Sequence, residues 1–196
     1  MLPFSFLPQN KTLEDNQMAN FYTVTKEIRG KKLVAQFNGI SAALQAVDNS
    51  YIDGTNNTSV AKLAKYLFEN VIVEPKLEID DFGADKIGKE EKKVINGKEY
   101  RASFKGISAA LKAIDNSYQD GSNNTSIEKL SKYLLENIVT KPKKLTIDDF
   151  ESMEEFNAVI SFAREAMQGG EAMEEFNEVI AFAREVMQGN FRDSKD

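Results

Sequence analysis

Apolar positions at Ile40, Ala43, Leu44, Val47 and Tyr51 recur at helical spacing, and Ile107, Ala110, Leu111, Ile114 and Tyr118 recur in the same way. Each set predicts an amphipathic helix. Before each lies a short stretch with strand character broken by Ile28-Arg-Gly30 or Ile95-Asn-Gly97. Asn96-Gly97 is a strong hairpin signal because both residues tolerate positive φ. After each helix the segments DGTNNTS and DGSNNTS form turns, and Thr58/Ser59 or Thr125/Ser126 can cap a second helix by accepting a hydrogen bond from its free amides. Ile127, Leu130, Leu134 and Ile138 give that helix its apolar stripe, and Pro75 and Pro142 end it or lie just beyond. A short Leu-x-Ile-Asp-Asp-Phe stretch then leads to a tail helix, where Ser152 and Glu155 have capping-box spacing.

The tail helix has the widest apolar arc. Met153, Phe156, Val159, Ile160, Phe162, Ala163, Ala166 and Met167 face one way, with Asn157, Ser161, Arg164, Glu165 and Gln168 opposite. A second tail segment carries Met173, Phe176, Val179, Ile180, Phe182, Ala183, Val186 and Met187 in the same pattern. Such a stripe is usually core. A flexible methionine and aromatic face also suits a hydrophobic client helix, so Phe156, Val159, Phe162 and Met167, with Phe176, Val179, Phe182 and Met187, are the candidate partner-binding residues. Phe162 and Phe182 stand first among them.

These elements come in copies. Phe37 to Phe82 (FNGISAALQAVDNSYIDGTNNTS…KLEIDDF) recurs as Phe104 to Phe150, 67 positions on from Gly39 to Gly106, with one extra residue at Lys144. Glu151 to Gly170 recurs at once as Glu171 to Asn190, an offset of 20. Both tail copies follow the second core copy, while the first DDF is followed by the charged linker Gly83 to Lys93. The order reads as a nested insertion: an outer copy of 18–82 plus 171–190, and an inner copy of 84–170 placed after Phe82, with glycines at both seams. A rival reading has the near-identical tail helices exchanged between copies. Residues 1–17 match neither copy and form an N-terminal extension for which disorder is open; 191–196 are a short tail. The fold class expected is α+β, mainly helical, each unit a short β-hairpin followed by about three amphipathic helices, duplicated.

Composition narrows the chemistry. Cysteine, histidine and tryptophan are absent, which removes disulfides, thiolate nucleophiles, imidazole bases and soft metal sites. The formal charge is −6 with a sequence pI near 5.0, a poor match for nucleic acid or an anionic membrane. The apolar N-terminus lacks a basic flank and is cut by two prolines, so it is not expected to be an export signal. Asp53-Gly-Thr-Asn-Asn57 and Asp120-Gly-Ser-Asn-Asn124 put oxygen ligands beside a glycine, but Tyr51 and Tyr118 stand where an EF-hand needs a ligand and the final glutamate is missing. The acid pairs Asp80-Asp81, Asp148-Asp149, Glu154-Glu155 and Glu174-Glu175 lie before or at helix starts, where negative charge is favoured without catalysis. No enzyme activity, cofactor or metal is expected.

The unit NGKEYRASFKGISAALKAIDNS…LSKYLLENIVTKPKKLTIDDFESMEEFNAVISFAREAMQG resembles the small tail assembly chaperones of long-tailed phages of Gram-positive bacteria. The likeness rests on the NGKEY-type hairpin, the I-D-D-F turn and the EEFNxVIxFAxExMQGxF tail, and it also covers the outer copy once its pieces are rejoined. The resemblance implies a non-catalytic protein in the cytoplasm of the infected bacterial host that binds the tape measure protein and helps recruit the tail tube protein. No nucleic acid or membrane is implied as partner. Two units in one chain point to a monomer with internal pseudo-symmetry or a weak homo-oligomer. They also leave open a regulatory or decoy module acting on a host or rival-phage factor.

Overall fold

The structure, a computed structural model, describes residues 21–119 and 124–190. The extension 1–17, the tail 191–196 and positions 120–123 of the second turn segment lie outside the described residues. The chain is α+β, with two three-stranded antiparallel sheets and six α-helices among the described residues. Strands β1 (Tyr22–Ile28) and β2 (Lys31–Phe37) form the first hairpin, followed by helices α1 (Ile40–Asn49) and α2 (Val60–Asn70) and strand β3 (Ile72–Glu74). Strands β4 (Glu90–Ile95) and β5 (Lys98–Ser103) form the second, followed by helices α3 (Ile107–Ser117) and α4 (Ile127–Tyr133), a π-helical turn Leu134–Ile138 and strand β6 (Val139–Lys141). Helices α5 (Met153–Gln168) and α6 (Glu171–Met187) end the described chain.

Local chemistry accounts for most boundaries. Both hairpins turn on two positive-φ residues, Arg29-Gly30 and Asn96-Gly97, the geometry whose twist matches paired strands. Ser59 Oγ accepts from the Lys62 amide (3.0 Å) and Ser126 Oγ from the Lys129 amide (3.2 Å), so the two serines, not the preceding threonines, cap α2 and α4. Ser152 caps α5 through the Glu155 amide (3.2 Å). The Ile-Asp-Asp stretches are 3-10 turns closed by reciprocal bonds between Glu78 and Asp81 and between Thr146 and Asp149.

Two expectations change. Each hairpin gains a third strand, because the β-branched residues Val71-Ile72-Val73 and Ile138-Val139-Thr140 before each proline suit a strand end better than another helical turn. β3 pairs with β2 through Val34↔Glu74 and Ala35↔Ile72, and β6 pairs with β5 through Arg101↔Lys141 and Ala102↔Val139, each beside a bulge. The charged stretch Gly83 to Lys93 is a linker only in its first half; Glu90–Lys93 belong to β4, an edge strand whose charged side chains suit an exposed sheet margin.

The core falls into two clusters. One gathers Leu33, Ala35, Leu67, Phe68, Ile72 and Phe82 with Phe176, Val179, Phe182 and Val186 of α6. The other gathers Tyr100, Ala102, Leu130, Leu134 and Ile138 with Val159, Phe162, Ala163 and Met167 of α5. Helix α6 thus lies on β1 and β2, and α5 on β4 and β5. The first cluster also takes in Phe104, Ile107 and Leu111, which come from β5's end and α3.

Candidate protein-binding surfaces

The tail-helix residues nominated from sequence sit in the interior. Phe176, Val179, Phe182 and Met187 are buried in the first cluster, Val159, Phe162 and Met167 in the second. Phe156 alone is half-buried, edge-on to Phe150 with ring centroids 5.4 Å apart. Phe176 closes a three-ring group with Phe82 (5.6 Å) and Phe68 (6.1 Å). Lys26 covers Phe182 and Lys93 covers Phe162, each ammonium under 6 Å from the ring at 5.6 and 5.8 Å. Across the repeat these helices serve as core lids, and in this conformation their apolar faces are closed to a partner.

The exposed apolar face lies elsewhere. On α1, Ile40 and Leu44 are 68% and 61% exposed and Val47 continues the stripe at i+7, with Tyr51 exposed just past the helix end. Their repeat counterparts on α3 are covered: Ile107 is 0% and Leu111 4% exposed, with Ile114 and Tyr118 half-buried. Sequence reading found this stripe but gave it no role. The two helices share their pattern, and only their neighbours differ.

What covers α3 is the surface of α2 and the 3-10 turn Ile79–Asp81. Ile107 and Leu111 enter the cluster that holds Leu63, Leu67 and Phe68 of α2, with Val60 and Ile79 packed against it. Polar contacts at the rim run both ways. Asp80 Oδ1 accepts from the Ser108 amide (2.9 Å) and so caps α3, whose own N-cap, Gly106, has no side chain to do so. Gly106 holds φ +96, and a Cβ there would stand 2.7 Å from Asp80 Oδ1, so glycine is required twice over. In return Asp115 accepts from the Ser59 hydroxyl and the Val60 amide at the start of α2. Burial raises the Asp115 carboxyl, opposed by these two donors and by Lys62.

The acids read as helix-start charges divide. Asp80, Asp81 and Asp149 serve the turns and caps just described, while Asp148 lies exposed in the second 3-10 turn. Glu155 is buried and accepts from the Tyr100 hydroxyl (2.7 Å), with Lys98 Nζ at 3.2 Å. The hydrogen bond from Tyr100, then that from Lys98, holds the Glu155 carboxyl below its ordinary range, while burial and Glu155 push Tyr100 up to about 12. Both shifts lead away from neutrality, so the pair holds α5 to β5 as a charged anchor instead of trading protons near pH 7. Asp53 of the first turn segment pairs with Lys62 (3.3 Å). Among the described residues no group of three or more acidic side chains is arranged to hold a metal ion, and no helix is long and apolar enough to cross a membrane.

No family model, curated protein or solved structure matches the chain.

Proposed function

We propose that this chain is a non-catalytic protein-binding module that acts as a phage tail assembly chaperone in the cytoplasm of the infected host, holding a tape measure protein soluble and helping to recruit tail tube protein. The observation that carries the binding role is the stripe Ile40, Leu44 and Val47 along α1, continued by Tyr51 just past the helix end, a run of large apolar side chains left in water. A fold gains nothing from such a stripe by itself, since burying each of these side chains would contribute about 1.5 to 3 kcal/mol. The phage assignment rests on the likeness of the hairpin, I-D-D-F and tail motifs.

The same reading takes the chain as two copies of one hairpin-and-helices unit, one nested in the other. Supporting the nesting are the seating of α6 on β1 and β2 and of α5 on β4 and β5, and the paired hairpin turns, serine caps and 3-10 turns at repeat-related positions. The working surface is accordingly transferred from the tail helices to α1.

Co-expression with the tape measure protein of the phage that encodes the chain tests this. Soluble client should be recovered with the unaltered chain and lost with Ile40→Ser/Leu44→Ser, a double variant that leaves the core untouched. Client that stays insoluble beside a folded, unaltered chain would overturn the chaperone reading.

A further inference from the structure

The chain that leads into β4 passes the start of α3 on its way. The Gly88 amide donates to the Phe104 carbonyl (2.8 Å), and Ile87 Cδ1 would stand 3.5 Å from a Cβ at Gly106. Further back the same stretch supplies Ile79, which packs against the cluster holding Ile107, and Asp80, which caps α3. Helix α3 is thus covered by the chain that lies ahead of its own hairpin.

The chain ahead of β1 has the means to do the same for α1. Strand β1 begins opposite the end of β2, through Tyr22↔Phe37 with the two rings stacked 5.3 Å apart, and Phe37 lies three residues before Ile40. An open groove of about 350 Å³, lined by Phe21, Tyr22, Phe37 and Asn38, lies between the chain's entry into the sheet and the start of α1. Residues 1–20 lie outside the described residues, but their sequence is informative. Leu13-Glu14-Asp15 has the apolar-acid-acid order of Ile79-Asp80-Asp81, and Glu14 stands 25 positions before Gly39 where Asp80 stands 26 before Gly106. Ahead of it come the large apolar residues Leu2, Phe4, Phe6 and Leu7, interrupted and ended by Pro3 and Pro8. On α1 the N-cap Gly39 offers no side-chain bond, and the position that meets Asp80 at Gly106 is open space at Gly39.

We propose that residues 2–15 occupy the α1 face of the same chain, docking on it as the chain ahead of β4 docks on α3. Glu14 or Asp15 then accepts from the Ser41 amide, as Asp80 does from Ser108, and Leu13 takes the place of Ile79. The prolines keep the first residues extended, so Leu2, Phe4 and Phe6 fall on one side at intervals of about 6.6 Å, close to the ~6 Å between Ile40 and Leu44 one helical turn apart. Reach is ample, since the eight residues from Leu13 to Phe21 span up to about 26 Å and α1 is about 15 Å long. The proposal rests on the reading of the α1 stripe as a protein-binding surface and supplies its regulation: a client must displace the segment to bind.

Because the chain has no cysteine, Leu44→Cys puts a single thiol on the face, and Ile127→Cys, at a similarly exposed site on α4, serves as the uncovered reference. Maleimide should label Leu44→Cys about tenfold more slowly in the full chain than in the same chain with Phe4→Ser/Phe6→Ser. A tethered segment works at about mM effective concentration, so an affinity of only about 0.1 mM fills the face roughly nine-tenths of the time. Ile127→Cys should label alike in both backgrounds, and the protection at Leu44 should be the same at about 10 μM and about 300 μM protein, as a contact within one chain requires. In a second measurement, Glu14→Ala/Asp15→Ala should quicken amide exchange at Ser41 about threefold or more, the effect of losing a helix cap.

Equal labelling of Leu44→Cys with and without Phe4 and Phe6 would overturn the proposal. So would protection that grows with concentration, which would mean that a second chain covers the face, a change at Ile127→Cys as large as at Leu44→Cys, or exchange at Ser41 that ignores the two acids. Failure of the client reading is separate. A protected thiol in a chain that recovers no tape measure protein leaves the docked segment standing and removes the chaperone role, whereas an unprotected thiol in a chain that recovers client does the reverse. Where both hold, Phe4→Ser/Phe6→Ser should recover more client than the unaltered chain.

Discussion

Helices α5 and α6 share most of their sequence yet lie on different sheets, and the few residues that differ around them show what seats each. Phe176 is fully enclosed by Phe68 and Phe82, while Phe156, its counterpart, is half-buried beside Phe150 alone, because Phe68 is replaced by Leu135 in the other cluster. The polar anchors differ in the opposite sense. Glu155 is buried against Tyr100 and Lys98, whereas Glu175 meets Lys31 (2.7 Å) at the rim and Leu33 stands in the place of Tyr100. Helix α6 also takes Arg29 from the hairpin turn, through Glu178 (2.8 Å) and Glu174 (3.1 Å); α5 has Ala158 where α6 has Glu178. One helix is held chiefly by rings, the other by a buried charge.

The largest way to break that contrast is to remove the rings. Phe176→Ala should cost about 3 to 5 kcal/mol, the range for emptying a buried phenylalanine site, and Phe156→Ala less, since part of its surface already faces water. Thermal unfolding with amide exchange on each sheet measures both and shows which group of elements loosens. Equal losses would mean that the helices are seated alike.

The C-terminal ends sharpen it next. A Cβ at Gly169 would stand 2.6 to 2.9 Å from the Phe104 ring, whereas at Gly189 the nearest atom, on Phe37, is 3.5 Å away. Both glycines have positive φ, so both alanine variants carry the backbone cost of about 1 kcal/mol. Gly169→Ala adds a clash with a buried ring, about 1 to 3 kcal/mol more by the cost of overpacking. The difference in melting temperature between the two variants reads the clash alone.

Acid separates the anchors. A carboxyl held below its unfolded value stabilises the folded chain while ionised, so the contribution of Glu155 is present above the ordinary glutamate range and is lost as pH falls through its lowered folded value. Glu155→Gln should therefore flatten the acid limb of the stability profile, with the loss felt first in β4, β5 and α5.

Much of this was legible in the chain itself. Hairpin turns, serine caps, the I-D-D-F turns and the helical stripes are local patterns, and local patterns can be read from spacing. The third strands were missed because three β-branched residues before a proline are too short to show alternation. The role of the tail faces and of α1 was not legible for a different reason. Ile40 and Ile107 sit in near-identical sequence, and which of them is covered depends on which elements the fold brings alongside, a property of position and not of residue type.

The smallest effect addresses what chooses the sheet for each tail helix. Arg29, Glu174 and Glu178 are partly exposed, and exposed ion pairs are weakened by side-chain entropy and salt. Glu178 is nevertheless the polar residue that distinguishes α6 from α5 beside the hairpin, and Arg29 stands where the other hairpin has Asn96. If apolar fit decides, Glu178→Ala leaves α6 in place: amide exchange rises at the turn around Arg29-Gly30, more so at low salt where the pair matters most, while Phe176, Val179, Phe182 and Val186 remain protected. If charge decides, the same variant frees α6 from β1 and β2, and protection falls along the whole helix. The enclosure of Phe176 and Phe182 argues for the first outcome, because two fully buried rings outweigh one solvent-screened pair.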